Sequence, residues 1–114
     1  MVWTVERAAT VGADLEAIYD HLLASMLAFG EPVDRAHAKC AARIDQIESD
    51  IDSLANVPHQ GVRDPALSPN LRHVTKDRAI LYFELHDARK VVHVLAIFYG
   101  GQDHMRQMLI RMLR

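Results

Sequence analysis

Arg72, Lys76 and Arg78 crowd around one polar turn, and Arg106, Arg111 and Arg114 recur near the C-terminal end. Cations grouped this way can neutralise a phosphate backbone or an acidic protein segment, and phosphate contacts carry a steep salt dependence. The charge is unevenly shared along the chain. Residues 1 to 71 hold 5 Lys or Arg against 11 Asp or Glu, whereas residues 72 to 114 hold 8 against 4. Such a division can set a positive surface beside an acidic body and draw in anionic partners at long range. The same side chains could equally solvate two separate faces, and spacing alone does not choose between these roles.

Seven histidines raise the question of a metal. No two of them stand as ligands at helix spacing with a carboxylate partner, and a single cysteine cannot supply a thiolate site, so no metal centre is expected. His93, set among Val91, Leu95 and Ile97, reads as a hydrogen-bonded core or interface histidine. Tyr82 and Tyr99 read as packing residues whose hydroxyls reach a rim. Gly100-Gly101 lacks the strand, loop and lysine of a phosphate cradle, so no cofactor is expected either. Cys40 has no cysteine to pair with and falls in a helical pattern, where it serves as a small buried apolar residue.

These residues need elements to hold them. The 114 residues, 50% hydrophobic and 25% charged, match one ordinary domain spanning 1-114. No apolar run approaches the roughly 20 residues of a membrane-spanning helix, and the opening residues do not read as a leader, so the expected compartment is the cytoplasm. Residues 1 to 7 alternate as a half-buried strand, with Trp3 as a core anchor. From Asp14, Leu15, Ile18, Tyr19, Leu22, Leu23, Met26 and Leu27 follow the spacing of an amphipathic helix, which Gly30 and Pro32 end. A second helix begins near Pro32 or Val33 and carries Cys40, Ile44, Ile47, Ile51 and Leu54 as a narrow seam. The short turn between them folds the two into an antiparallel hairpin.

Pro58, Gly61, Pro65 and Pro69 mark a loop. Strands are then expected over 71–74, 79–85 and 91–99, joined by short polar turns and therefore antiparallel. After Gly100 and Gly101 break the run, Asp103 is expected to cap a last helix, with Met105, Met108, Leu109, Met112 and Leu113 on one face. The sum is an α+β fold: an N-terminal strand, an antiparallel helix hairpin, a three-stranded antiparallel meander joined by the first strand, and a short C-terminal helix. In Val91 to Tyr99 neither alternate set of residues is polar, as in a strand covered on both faces. A partner is the expected cover.

In this order and spacing the chain resembles the RelE/ParE superfamily of toxins from type II toxin–antitoxin pairs, over essentially its whole length. The resemblance rests on the opening strand with Trp3, on Asp14-Leu15-Glu16-Ala17-Ile18-Tyr19-Asp20-His21-Leu22, on Leu71-Arg72 and on Ala79-Ile80-Leu81-Tyr82-Phe83. It continues through Val91-Val92-His93-Val94-Leu95-Ala96-Ile97-Phe98-Tyr99-Gly100-Gly101-Gln102-Asp103. It implies a growth-inhibiting cytoplasmic toxin, of the kind linked to plasmid stabilization, held inactive by a cognate antitoxin whose flexible segment wraps it. The implied antitoxin-binding residues are Leu15, Tyr19, Leu81, Phe83, Val94 and Phe98. The implied target-binding residues are Arg72, Lys76, Arg78 and Arg106.

Two target classes exist within the superfamily. RelE-type members cleave messenger RNA on the ribosome with basic residues in the sheet and a tyrosine near the C-terminus, because 2′-hydroxyl attack needs a base, an acid and cations. Here the corresponding positions read Ala79, Tyr99-Gly100-Gly101 and, near the end, Arg106. The resemblance therefore points to the ParE-like branch: a non-enzymatic inhibitor that binds DNA gyrase. The alternative is a ribosome-dependent endoribonuclease of RelE type, with a rearranged set drawn from Arg72, Lys76, Arg78, Tyr99 and His104. A third reading is a former toxin kept as a binding module.

Overall fold

The computed structural model describes residues 2–100 and 103–113. Along the chain lie β1 (Thr4–Arg7), α1 (Thr10–Ala28), α2 (Val33–Ser53), β2 (Val62–Arg63), β3 (Leu71–Lys76), β4 (Ala79–His86), β5 (Val91–Tyr99) and α3 (His104–Met112). The five strands form one sheet in the order β1-β5-β4-β3-β2. The meander β3–β4–β5 is antiparallel, and β1 joins it parallel to β5, with Thr4 opposite Val91 and Arg7 opposite Val94. This is the α+β arrangement expected from the sequence. Two details were not: α1 begins at Thr10, because Val11 already belongs to the buried stripe Val11, Leu15, Ile18, and the Pro/Gly loop contains β2. In that loop Gly61 has φ +86°, and a Cβ there would stand 2.4 Å from the His73 carbonyl oxygen. Only glycine lets β2 come this close to β3.

The α1–α2 hairpin packs on one face of the sheet. Its seam of Ile18, Ile47, Ile51 and Leu54 meets Leu81, Phe83, Val92, Val94 and Ile97 in the larger core. Across the hairpin the Tyr19 hydroxyl meets His37 Nδ1 at 2.7 Å. Gly30, at φ +87°, closes α1: its N–H reaches the Leu27 carbonyl and the next N–H reaches that of Met26.

The opposite face explains why both alternate sets of β5 are apolar. Register shifts between Tyr82, which faces Ala96, and Phe83, which faces Val94, leaving Leu95 as an extra residue. Such a bulge inverts the inside–outside alternation beyond it. Val92 and Val94 face the helices before it; Ile97 faces them after it, while Ala96 and Phe98 join Leu71, Ile80, Tyr82 and Met108 in a second core. That second core is covered by α3 and by Leu67 of the preceding loop. The cover is thus supplied by the chain itself, which corrects the expectation that a partner must provide it.

α3 is held by more than Met108. Arg111, grouped in the sequence with the C-terminal cations, instead donates two hydrogen bonds to Asp14, at 2.8 Å to each oxygen. Asp14 Oδ2 also accepts the Ile97 N–H at 3.0 Å, so one carboxylate ties α1, β5 and α3 together. These bonds to Asp14 hold the guanidinium proton more tightly than usual, against the effect of burial. Asp103 stands at the N-terminus of α3 in the left-handed region, but its side chain makes no capping hydrogen bond. Of the expected α3 stripe only Met108 is buried; Met105, Leu109, Met112 and Leu113 are exposed, as is Ile110. Gly101 and Gln102, read from the sequence as the break and helix start, and Arg114 of the basic group lie outside the described residues.

Candidate functional site

At the α3 end of the second face, four polar side chains from two strands, a loop and a helix converge. Asp64, just beyond β2, is 5% exposed and accepts a hydrogen bond from His73 Nδ1 on β3 at 2.7 Å. β3 pairs His73 directly with Tyr82 of β4, whose hydroxyl shares a 2.8 Å hydrogen bond with Nδ1 of His104, the first residue of α3. The His73 ring centre lies 5.1 Å from that of Tyr82 and 5.2 Å from that of His104. A carboxylate only accepts, so His73 donates to Asp64 from Nδ1 and its Nε2 points away from that bond.

Burial, and secondarily the charge of Asp64, push the Tyr82 hydroxyl up to about 12. Burial, with help from His73 and against a weaker pull from Asp64, pushes His104 below the usual imidazole value. The two therefore form a neutral pair at pH 7. His104 also lines an open groove of about 510 Å³ with Thr75, Ile80, Gly100 and Arg78. An imidazole, a guanidinium and the Asp77 carboxylate thus border one depression, with the Tyr82 hydroxyl buried behind His104.

The cations themselves separate. Arg78 and Arg43 flank the Tyr99 ring, at 5.7 and 5.5 Å, and Arg43 donates to the Tyr99 hydroxyl at 3.3 Å and to the Lys76 carbonyl at 3.5 Å. Arg72 lies four residues back along β3 from Lys76, about 13 Å at strand rise, and donates to the His59 carbonyl at 2.9 Å. Arg106 is exposed on α3. The structure thus gathers Arg78 and the unforeseen Arg43 around Tyr99, with Arg43 also reaching the Lys76 backbone, and leaves Arg72 toward the other end of the strand.

The implied antitoxin contacts sort by burial. Leu81, Phe83 and Val94 have no exposed surface, and Leu15 is 8% exposed. They are part of the helix–sheet core, where strand faces and helix stripe are already matched, and offer a partner no surface. Tyr19 is half-buried at the hairpin, and Phe98, 9% exposed, borders a groove of about 310 Å³ between α1, β5 and α3. Tyr82 corrects the sequence reading as well: its hydroxyl is not at a rim but buried against His104.

A separate group lies at the far end of the same face. Glu84 and His86 alternate on β4, and His93 pairs with Glu84 across β5. Their ligand atoms all lie within 4.8 Å of one another. The sequence search for paired histidines at helix spacing missed them, because the pairing runs across strands. It missed Asp64, His73 and His104 as a unit for a related reason: 40 residues separate the outermost pair, and only the sheet brings them together.

No protein-family model matches this chain, and no curated protein matches it. Solved structures do. A chain of the chromosomal ParDE TA system from P. aeruginosa is similar with a TM-score of 0.66 and 23% identity, over 87% of this chain and 97% of that one. A chain of the toxin-antitoxin complex RelBE2 from Mycobacterium tuberculosis is similar with a TM-score of 0.51 and 15% identity, over 87% of this chain and 99% of that one. The protein shares the fold of those chains.

Proposed function

We propose that this chain is the toxin of a type II toxin–antitoxin pair, a ParE-like member of the RelE/ParE superfamily that inhibits DNA gyrase by binding and is neutralised by a cognate antitoxin. The observation that carries the reading is the fold, similar over nearly the whole of both chains to members of two such systems and more so to that of ParDE. Two features support it. Ala79, at the position where RelE-type enzymes carry a basic side chain, is completely buried against the helices and presents nothing to a substrate. Arg78 and Arg43 around Tyr99, with Lys76 at the end of the neighbouring β3, offer a cationic end for the target, with Arg72 and Arg106 as outlying contacts. The antitoxin segment follows the exposed apolar residues Met105, Leu109, Ile110 and Leu113 on α3 and enters the groove beside Phe98, with Tyr19 at the hairpin.

One observation favours a second reading. The Asp64–His73 pair and the neutral Tyr82–His104 pair beside Arg78 suit a ribosome-dependent endoribonuclease. Induced expression, with and without any small reading frame found to adjoin the gene, followed by a supercoiling assay with purified gyrase and mapping of transcript ends, separates the two. Growth arrest with lost supercoiling and intact transcripts is the expected result, and His104→Gln should leave it unchanged. Cleaved transcripts that disappear with His104→Gln would establish the ribonuclease instead. Unimpaired growth would overturn both.

A further inference from the structure

We propose that Glu84, His86 and His93 form a site for a divalent transition-metal ion of the zinc class, on the sheet face away from the helix hairpin. Among the described residues this is the one place where three potential ligand side chains converge. The geometry follows from the sheet. Phe83, Leu85, Val92 and Val94 are buried under the helices, so the residues alternating with them, Glu84, His86 and His93, share the other face. Glu84 stands opposite His93 in the antiparallel pair, and His86 follows two residues on, with its ring centre 5.9 Å from that of His93.

Two imidazoles and a carboxylate are a donor set that zinc takes in open sites, with a further position left for water or an incoming ligand. In a tetrahedral site with bonds of about 2.0–2.2 Å the donors lie about 3.3 Å apart. The ligand atoms, all within 4.8 Å of one another, therefore need to approach by no more than about 1.5 Å to meet one ion. All three residues are half-buried, so they are partly fixed yet reachable. The carboxylate is already oriented: Ser68 Oγ donates to Glu84 Oε2 at 3.0 Å, leaving the other oxygen for an ion. Ligand-orienting bonds of this kind accompany metal sites. Glu6 stands beside His93 on β1 but is held by Arg89 at 3.2 Å, so the convergent set is three, not four.

A bound ion would join β4 to β5 at the end of the sheet opposite α3, and binding to the folded chain alone raises its stability. The site does not depend on the toxin reading. The test is titration of the purified chain with Zn²⁺ alone, followed by calorimetry, thermal unfolding and long-range ¹H–¹⁵N spectra of the imidazole rings. One ion per chain is expected, with a raised Tm and ring shifts at His86 and His93 but not at the other five histidines. His93→Gln should weaken binding by about a hundredfold and Ser68→Ala by about tenfold, while His21→Gln on α1 leaves it unchanged. The spectra of the unaltered chain decide the matter even if His93→Gln fails to fold. No binding, or shifts spread over all the histidines, would overturn the proposal.

Discussion

His104 makes stability depend on pH through one side chain. Its folded pKa lies below the unfolded value of about 6.5, chiefly because it is buried. As pH falls below that value the unfolded chain takes up the proton first, so stability drops until the folded histidine is protonated too. Urea unfolding between pH 7 and pH 5 should show this loss, and His104→Gln should reduce the slope. An unchanged slope would assign it elsewhere. Gly61 gives a second residue-scale prediction: with a Cβ 2.4 Å from the His73 carbonyl and φ at +86°, Gly61→Ala should cost about 1–3 kcal/mol. A melting temperature equal to that of the unaltered chain would mean that β2 does not need its close approach. Among the cations, on the proposed reading, Arg78→Glu should abolish toxicity where Arg72→Glu reduces it little, since Arg72 lies apart from the group around Tyr99. Equal effects on growth arrest would restore the single patch read from the sequence.

Among the elements, α3 depends on a few contacts. It buries one residue, Met108, and is fastened by the Arg111–Asp14 pair, whose side chains are 33% and 10% exposed. Removing one partner of a charged, hydrogen-bonded pair costs about 2–3 kcal/mol, and Asp14→Asn should do so by urea unfolding. Hydrogen exchange should also show α3 opening before the central strands, because it has the least buried apolar surface of the helices. Protection in α3 equal to that in β4 would refute this. The helices and the meander were legible in the sequence because their periods are local: the Ile44, Ile47, Ile51 seam and the polar turns around Asp77 and Asp87 need no knowledge of the rest of the chain. The bulge at Leu95 was not, because a change of register between Tyr82 and Phe83 leaves no mark in a run that is apolar throughout. The candidate site was legible only as single residues. Tyr82, His104 and the cations could be named, but Asp64, His73 and Arg43 became partners only through strand pairing and helix packing.

For the molecule as a whole, two faces differ in how complete they are. The helix–sheet face is closed, while Met105, Leu109 and Ile110 stand exposed on a helix of nine residues and Leu113 stands exposed at its C-terminal end. The purified chain alone should therefore associate with itself as its concentration rises, and Leu109→Glu with Leu113→Glu should abolish that without lowering Tm, since both residues lie outside the core. Light scattering reads the first effect and calorimetry the second; a monomer at high concentration would mean this surface is harmless alone. The same double variant should lose capture by the antitoxin on the proposed reading.

The spare residue at Leu95 sets a limit on how this chain can vary in length. Removing Leu95 would restore unbroken pairing and leave Ile97 under the hairpin and Phe98 on the other face, whereas threading Leu95 into the ladder opposite Tyr82 would turn Ile97 out and swing Phe98 into its place. The stretch from Pro58 to Pro69 carries no comparable long ladder. Relatives of this protein should therefore differ freely in the size of that connection, and β5 should lose a residue only at the bulge.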